Sequence, residues 1–448
     1  MKRIVSLSTS LLLGGSLILG GGVMAVAATP GTVSATIPVG SLPLAAAISP
    51  DGTTLYVADY SDNDLSVIDT ASDTVTSTIR VGDNPDSVAI SPDGKTLYVA
   101  NYGDDSIYVI DATTRTRTTY FTGSFRSPSA VLVSPDGATL YVISYASSSV
   151  TFMDAATGRT TGSITSFTRS DLRATLSPDG ATLYVTDYNA GTVSVIDTAT
   201  KRITRTIAGF TGPTTPGITP DGTVLYVPNA TSDSVSVVDI ATGTITRTVA
   251  GITAPQGAAV SPDGATVYVV GGPHDLTVID VESGNVVDTV TVGKDPASLV
   301  VAPDGATVYT TDASDDTVSA VTGRIAPTFS ADPPSGSVGS AYTYTFSASG
   351  EPAPDFVVQS GTLPDGLELA ADGTLSGTPT TAGTFTFTVL ARNGAGSGAA
   401  VTVTVTIVGP ATASSPTPVT TPTPGTIVPS LPGAGPAKSV SAKATFTG

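Results

Sequence analysis

From about residue 31 to residue 322 the chain is written in short alternating runs of apolar and polar residues, each stopped by turn residues. Leu55-Tyr56-Val57, Leu65-Ser66-Val67-Ile68-Asp69 and Thr74-Val75-Thr76-Ser77-Thr78-Ile79 show the pattern. A period of two with β-branched residues in the majority predicts half-buried strands. No stretch carries the 3.6-residue period of an amphipathic helix, which excludes a helical solenoid.

One tetrapeptide orders these runs into seven copies. Ser49-Pro50-Asp51-Gly52 recurs at residues 91–94, 134–137, 177–180, 219–222, 261–264 and 302–305, with Thr or Ala replacing the serine in the fifth and seventh copies. Successive prolines are 42, 43, 43, 42, 42 and 41 residues apart. In each turn proline pre-sets φ and glycine takes the left-handed conformation that closes a hairpin. Four strands per period make one blade of a propeller. The seventh copy has three strands and no fourth, while Gly31–Gly40 repeats the fourth-strand pattern of Asp73–Gly82 ahead of the first copy. The expectation is an all-β, seven-bladed β-propeller closed by an N-terminal strand, which leaves no open edge.

With these repeats in hand, the chain resembles the YVTN family of β-propellers across about Thr29 to Arg324. The tetrapeptide that names the family stands as Tyr56-Val57-Ala58-Asp59, Tyr98-Val99-Ala100-Asn101, Tyr184-Val185-Thr186-Asp187 and Tyr226-Val227-Pro228-Asn229, with looser sixth and seventh copies. From about Ala326 a second strand-rich segment begins. Leu363-Pro364-Asp365-Gly366-Leu367, Gly373–Pro379 and Gly383–Val389 resemble the Ig-like, cadherin-like domain common in bacterial surface proteins, which implies a β-sandwich over 326–408. That resemblance implies an association with calcium, but Asp332, Asp355, Asp365 and Asp372 are scattered and form no full acidic ligand set. Residues 409–448, rich in Pro, Thr and Ser, read as an extended linker or stalk.

Composition adds location. Lys2 and Arg3 followed by an apolar, glycine-interrupted run to Met24 and a small-x-small site at 25–28 read as an export signal over residues 1–28. No second apolar segment of spanning length follows, so the expected product is secreted, extracellular or cell-wall associated, with no transmembrane segment after signal removal. The chain contains no cysteine, which excludes thiolate catalysis and thiolate metal sites. A formal net charge of −18 disfavours nucleic acid as a partner.

Candidate chemistry falls on the propeller face whose loops differ between copies. There lie Tyr60, Asp62, Asp64, Tyr102, Asp104, Asp105, Tyr188, Asn189, His274, Asp315 and Asp316, the expected ligand-binding set. For any single one of them, turn chemistry is the simpler account. The aspartates, with Asp233, could ligate calcium through oxygen, yet they come from different blades. Asp69, Asp111, Asp154, Asp197, Asp239 and Asp280 recur once per blade at third-strand ends and read as structural. The single histidine, His274, has no nucleophile elbow beside it, and three-histidine zinc sites are arithmetically impossible. Only Glu282 among the glutamates falls in the propeller. The resulting expectation is a monomeric, non-catalytic binding or adhesion protein with an extracellular protein or glycan ligand. The alternative, implied by the similarity of YVTN-type repeats to lactonase-family propellers, is a metal-dependent hydrolase.

Overall fold

The computed structural model describes residues 31–123, 125–168, 171–393 and 400–410, and the expected leader and nearly all of the proline-rich tail lie outside them. Every regular element among the described residues is a strand. The first blade is an antiparallel sheet of Pro43–Ile48, Thr54–Asp59, Asp64–Asp69 and Thr74–Arg80, in sequence order. Five more sheets repeat that order. The seventh holds Pro296–Val301, Thr307–Asp312 and Thr317–Thr322, and its outer strand is Val33–Pro38 from the start of the chain. The closing strand runs antiparallel to its neighbour, with Ile37 opposite Val318 and Pro38 opposite Thr317.

The turn chemistry explains why each hairpin closes where it does. Asp51 Oδ1 accepts from Ser49 Oγ at 2.6 Å and from the Thr53 amide at 3.0 Å, while Ser49 Oγ accepts from the Thr54 amide at 2.9 Å. Gly52 sits at φ 73° and Gly305 at φ 75°, where a Cβ would be strained. Each proline ring also packs against the glycine of the next turn, and the series includes Pro303 against Gly52 across the closure. The aspartates ending the third strands are turn caps as expected: Asp69 Oδ1 accepts from the amide and hydroxyl of Ser72, and Asp111, Asp154, Asp197 and Asp239 treat a threonine the same way.

The core lies between blades, because each sheet is sandwiched by two others. Tyr56 packs with Leu97 and Val99 of the second blade, and Tyr98 does the same with Leu140 and Val142 of the third. This is why the tyrosine of the repeat recurs: it wedges adjacent blades, and its neighbours Leu55 and Val57 point to the other interface. At the closure, Ile37 of the N-terminal strand is buried with Leu55, Val57, Ile68, Tyr309 and Val318. Each such side chain contributes roughly 1.5–3 kcal/mol by leaving water.

The second unit is a small sandwich. Gly383–Arg392 pairs with Asp355–Gly361 and Ala400–Val408 in one sheet, and Tyr342–Thr345, Thr374–Gly377 and Leu367–Leu369 form another. Phe346, Phe356, Phe387 and Leu375 fill the space between them. The chain leaves the propeller on its Ser-Pro-Asp-Gly face, where the Arg324 amide donates to Tyr268 Oη at 2.7 Å and the Ala326 amide to Asp263 Oδ2 at 3.0 Å. Asn393 Nδ2 then donates to the Ile325 carbonyl at 2.8 Å. The sandwich therefore starts on the face opposite the variable loops.

Removing residues 29–40 exposes the edge of the seventh sheet and opens its core. The melting temperature is expected to fall by more than about 10 °C, against no change on removing residues 411–448. Equal melting of the two truncated proteins, by calorimetry, contradicts the closure.

Candidate functional site

The first strands of all seven blades pack in an unbroken circuit around the axis. Small residues such as Ala45, Ala46 and Ala130 face it because seven backbones converge there. At the entry of four of these strands, a proline that cannot donate to the ladder is followed by a register shift: Pro43/Ala45, Pro85/Ser87, Pro128/Ala130 and Pro296/Ser298. Such a bulge re-aims the extra residue. Leu44, Asp86, Ser129 and Ala297 occupy the bulges, and all four line one central cavity of about 580 Å³. The fourth blade has no bulge, so Leu172 turns into the core and Arg173 faces the cavity instead.

These entries lie at the variable-loop end of the channel, and Val88, Val131, Leu132 and Leu299 line the cavity together with Ser87, Thr215, Gln256, Asp295 and Ser298. Burial pushes the Asp86 carboxyl up to about 6, against the pull of the Arg173 guanidinium and with a further push from Asp171. Arg173 is itself paired with Asp171 at 3.3 Å. Ser129 is 5% exposed, and its Oγ has no hydrogen-bond partner among the described residues. Charged and unsatisfied polar groups from three blades thus converge at one mouth.

Three tyrosines form a row on the variable-loop face, outside the cavity lining. Tyr60 and Tyr102 have ring centroids 6.5 Å apart, and Tyr102 and Tyr145 6.3 Å apart, all three half-buried. The Tyr60 hydroxyl is pushed up mainly by burial and next by the charge of Asp86. Tyr188, in the next blade, is exposed and shares a hydrogen bond of 3.2 Å with Thr231 Oγ1. Asn189 is exposed in the turn after it, and His274 is half-buried, its carbonyl accepting from the Val292 amide at 2.8 Å.

The loop aspartates are engaged otherwise. Asp62 Oδ2 accepts from the Ser41 amide at 2.7 Å and Asp315 Oδ2 from the Lys294 amide at 3.0 Å, each fixing the entry loop of its own blade. Asp104 accepts from Ser106 Oγ at 2.6 Å and from the Asp83 amide at 3.4 Å. Residues in left-handed turn positions reach across to the next blade: Asn63 to the Asn84 amide, Asp105 to the Ser127 amide, Asp233 to the Ala254 amide and Asp316 to the Leu42 amide, at 2.6–2.9 Å. The Asp316 contact bridges the last blade and the first. Asp64 lies opposite Asp59 in the ladder, and burial pushes its carboxyl up as well. Burial drives Asp59 up to about 7, with the neighbouring Asp64 adding to it, while Ser66 Oγ donates to its Oδ2 at 2.7 Å. The same repeat position holds buried Asn101 and Asn229 in the second and fifth blades.

Among the described residues no three or more carboxylates and imidazoles gather where they could hold an ion. At the channel mouth the positive charge of Arg173 acts on the Asp86 carboxyl, which opposes a divalent cation there, so no step below runs through one.

The sequence profile of the family described as "Lactonase, 7-bladed beta-propeller" matches residues 29–262, just over half of the chain. The chain belongs to that lactonase-type propeller family. The profile described as "Putative Ig domain" matches residues 306–408, although the strands Thr307–Asp312 and Thr317–Thr322 within that span belong to the seventh blade. No curated protein matches the sequence. Among solved structures, a chain of "Kuenenia stuttgartiensis Hydrazine Synthase" superposes with a TM-score of 0.57 at 22% identity, covering 67% of this chain and 99% of that one. At that identity the likeness shows the propeller fold alone.

Within this lactonase-type propeller, Asp59 supplies a pH test. Its folded carboxyl keeps a proton up to about pH 7, whereas an ordinary one releases it near 3.8. The native state binds more protons between those values, so its stability falls as pH rises through the window. Asp59→Asn, which copies Asn101, is expected to raise the melting temperature by about 2 °C or more at pH 8 and hardly at all at pH 4. In the opposite direction, Asp316→Ala removes a carboxylate bond across the closure and is expected to lower stability by about 1 kcal/mol in calorimetric melting at pH 7.

Proposed function

We propose that this lactonase-family propeller is a binding module of a secreted or cell-surface protein, and that it takes its ligand at the variable-loop mouth of the central channel. The observation that carries this reading is the convergence of Asp86, Ser129 and Arg173, from three successive blades, on a cavity of about 580 Å³. That volume is within the range of small-molecule sites. The Ig-like sandwich, attached on the opposite face, acts as a spacer that leaves the mouth free. Among the described residues no helix is long and apolar enough to cross a membrane. The protein works as a monomer, held outside the cell by its leader-directed export, with a glycan or protein bearing the recognised group as the natural source of ligand.

Two features support a second reading, lactone hydrolysis. One is the family; the other is Asp86, a carboxyl raised to about 6 and therefore mostly ionised at neutral pH. Asp86 would take the proton of an attacking water, the ring C–O bond would break, and the proton would return to the alkoxide, with Arg173 facing the developing negative charge.

One experiment separates these readings from a merely structural channel. Ala130→Trp places an indole in the cavity, and it is expected to abolish every ligand shift that the full-length protein gives in a thermal screen of small molecules. A screen whose hits all survive that substitution places binding elsewhere. Turnover on a lactone panel, lost by at least about 100-fold in Asp86→Asn, would establish the hydrolase; no turnover by the parent removes that reading.

A further inference from the structure

Resting on the channel-mouth reading, we infer that the ligand is a small neutral polyol, a molecule of monosaccharide size whose adjacent hydroxyls meet Asp86, Ser129 and Arg173 in turn. These residues belong to the second, third and fourth blades, so they stand in that order around the cavity wall. An ionised carboxylate only accepts hydrogen bonds, a guanidinium only donates them, and the serine hydroxyl between the two does both. A run of neighbouring hydroxyls answers all three, because each hydroxyl is donor and acceptor at once. Ser129 is the strongest pointer to a ligand: it is 5% exposed, and its Oγ lines the cavity with no hydrogen-bond partner among the described residues. Arg173 pairs with Asp171 at 3.3 Å, yet a guanidinium has five N–H donors, more than one carboxylate takes up. The rest of the polar lining is of the same neutral kind. Thr215 and Ser298 add hydroxyls, and Gln256, whose Nε2 donates to the Ala254 carbonyl at 3.1 Å, keeps its Oε1 as an acceptor. Val88, Val131, Leu132 and Leu299 in the same wall suit the C–H faces that a polyol ring also carries.

Charge on the ligand is opposed in either sign. The Arg173 guanidinium is the main charge acting on Asp86, and it repels an ammonium placed there. A carboxylate or phosphate meets Asp86 and Asp295, and Asp171 already offsets Arg173. Within the wall Asp86 and Arg173 offset one another, while Asp295 is exposed and accepts from Ser314 Oγ. A wholly apolar ligand displaces water from Asp86, Ser129 and Arg173 and returns no hydrogen bond, which costs most for the two charged groups. A lone alcohol serves one of the three and strands the others. Hydroxyl number, with no net charge, is therefore what the wall selects.

The test uses the full-length protein and six-membered-ring probes that differ in charge and hydroxyl number. Myo-inositol, D-glucose, D-galactose and D-mannose are the neutral polyols; cyclohexanol, cyclohexylammonium and D-glucuronate are their counterparts. Isothermal calorimetry at pH 7 is expected to give at least one neutral polyol a Kd of about 1 mM or below, at least about 10-fold tighter than any counterpart. Asp86→Ala and Ser129→Ala each install the residue that the seventh blade carries at the same position, Ala297, so both variants are expected to melt with the parent. Asp86→Ala is expected to weaken the best polyol by at least about 10-fold and Ser129→Ala by about 3-fold or more. A counterpart that binds as tightly as the best polyol overturns the inference, and so does a polyol affinity that ignores both substitutions. No heat from any of the four polyols at about 10 mM overturns it as well. If a counterpart binds in their place and Ala130→Trp abolishes that binding, the polyol proposal fails and the channel reading stands. Polyol binding that survives Ala130→Trp overturns both.

Discussion

Seven twisted sheets can share one axis only if the last meets the first, and in this protein a strand from the beginning of the chain makes that join. Val33–Pro38 hydrogen-bonds along the exposed edge of the seventh sheet and buries Ile37 between the seventh and first blades. Around it the closure is clamped twice more, by Asp316 on the Leu42 amide at the loop face and by Pro303 against Gly52 at the turn face. An unpaired edge is a template for aggregation, and a ring removes it without a covalent bond. With no cysteine in the chain, this join does what a disulfide does elsewhere.

The site inherits its geometry from that ring. Asp86, Ser129 and Arg173 belong to three successive blades and meet only because the inner strands are packed around a common axis. Bulges at the strand entries turn Asp86 and Ser129 inward, whereas Arg173, in one of the three blades without such a bulge, faces the cavity from an undisturbed ladder while Leu172 before it is buried. The entry loops that carry the bulges are fixed in turn by the aspartates of the neighbouring turns. Rim, loops and closure are thus parts of one hydrogen-bonded belt, and the channel mouth is as rigid as the ring.

What the sequence discloses follows from which interactions are local. The Ser-Pro-Asp-Gly turns, the third-strand aspartate caps and the tyrosine wedge repeat seven or nearly seven times, so period and turn chemistry reveal the propeller, and the displaced fourth strand reveals its closure. Tyr60 and Tyr102 are legible as variable-loop residues, and alignment of the copies marks Tyr145 at the same repeat position in the third blade. Asp62, Asp105, Asp315 and Asp316 attracted attention as exposed carboxylates, but their partners are backbone amides about twenty residues away or across the closure, which spacing does not show. Asp86 and Arg173 hid among first strands that read as structural. Their one signal is that each places a charge where the equivalent positions of the other blades hold Leu44, Ser129, Gln256 and Ala297, or Ala45, Ser87, Gly257 and Ser298.

Everything rests on the N-terminal strand being an integral part of the seventh blade, and native-state hydrogen exchange reads that directly. The amides of residues 33–38 that bond to Thr317–Thr322 should exchange as slowly as those of the fourth-blade strand Thr192–Asp197, with one shared opening free energy, because a ring opens as a unit. Exchange of residues 33–38 within seconds, while the fourth blade stays protected, would show that the circle is open and that the channel mouth lacks the frame described for it.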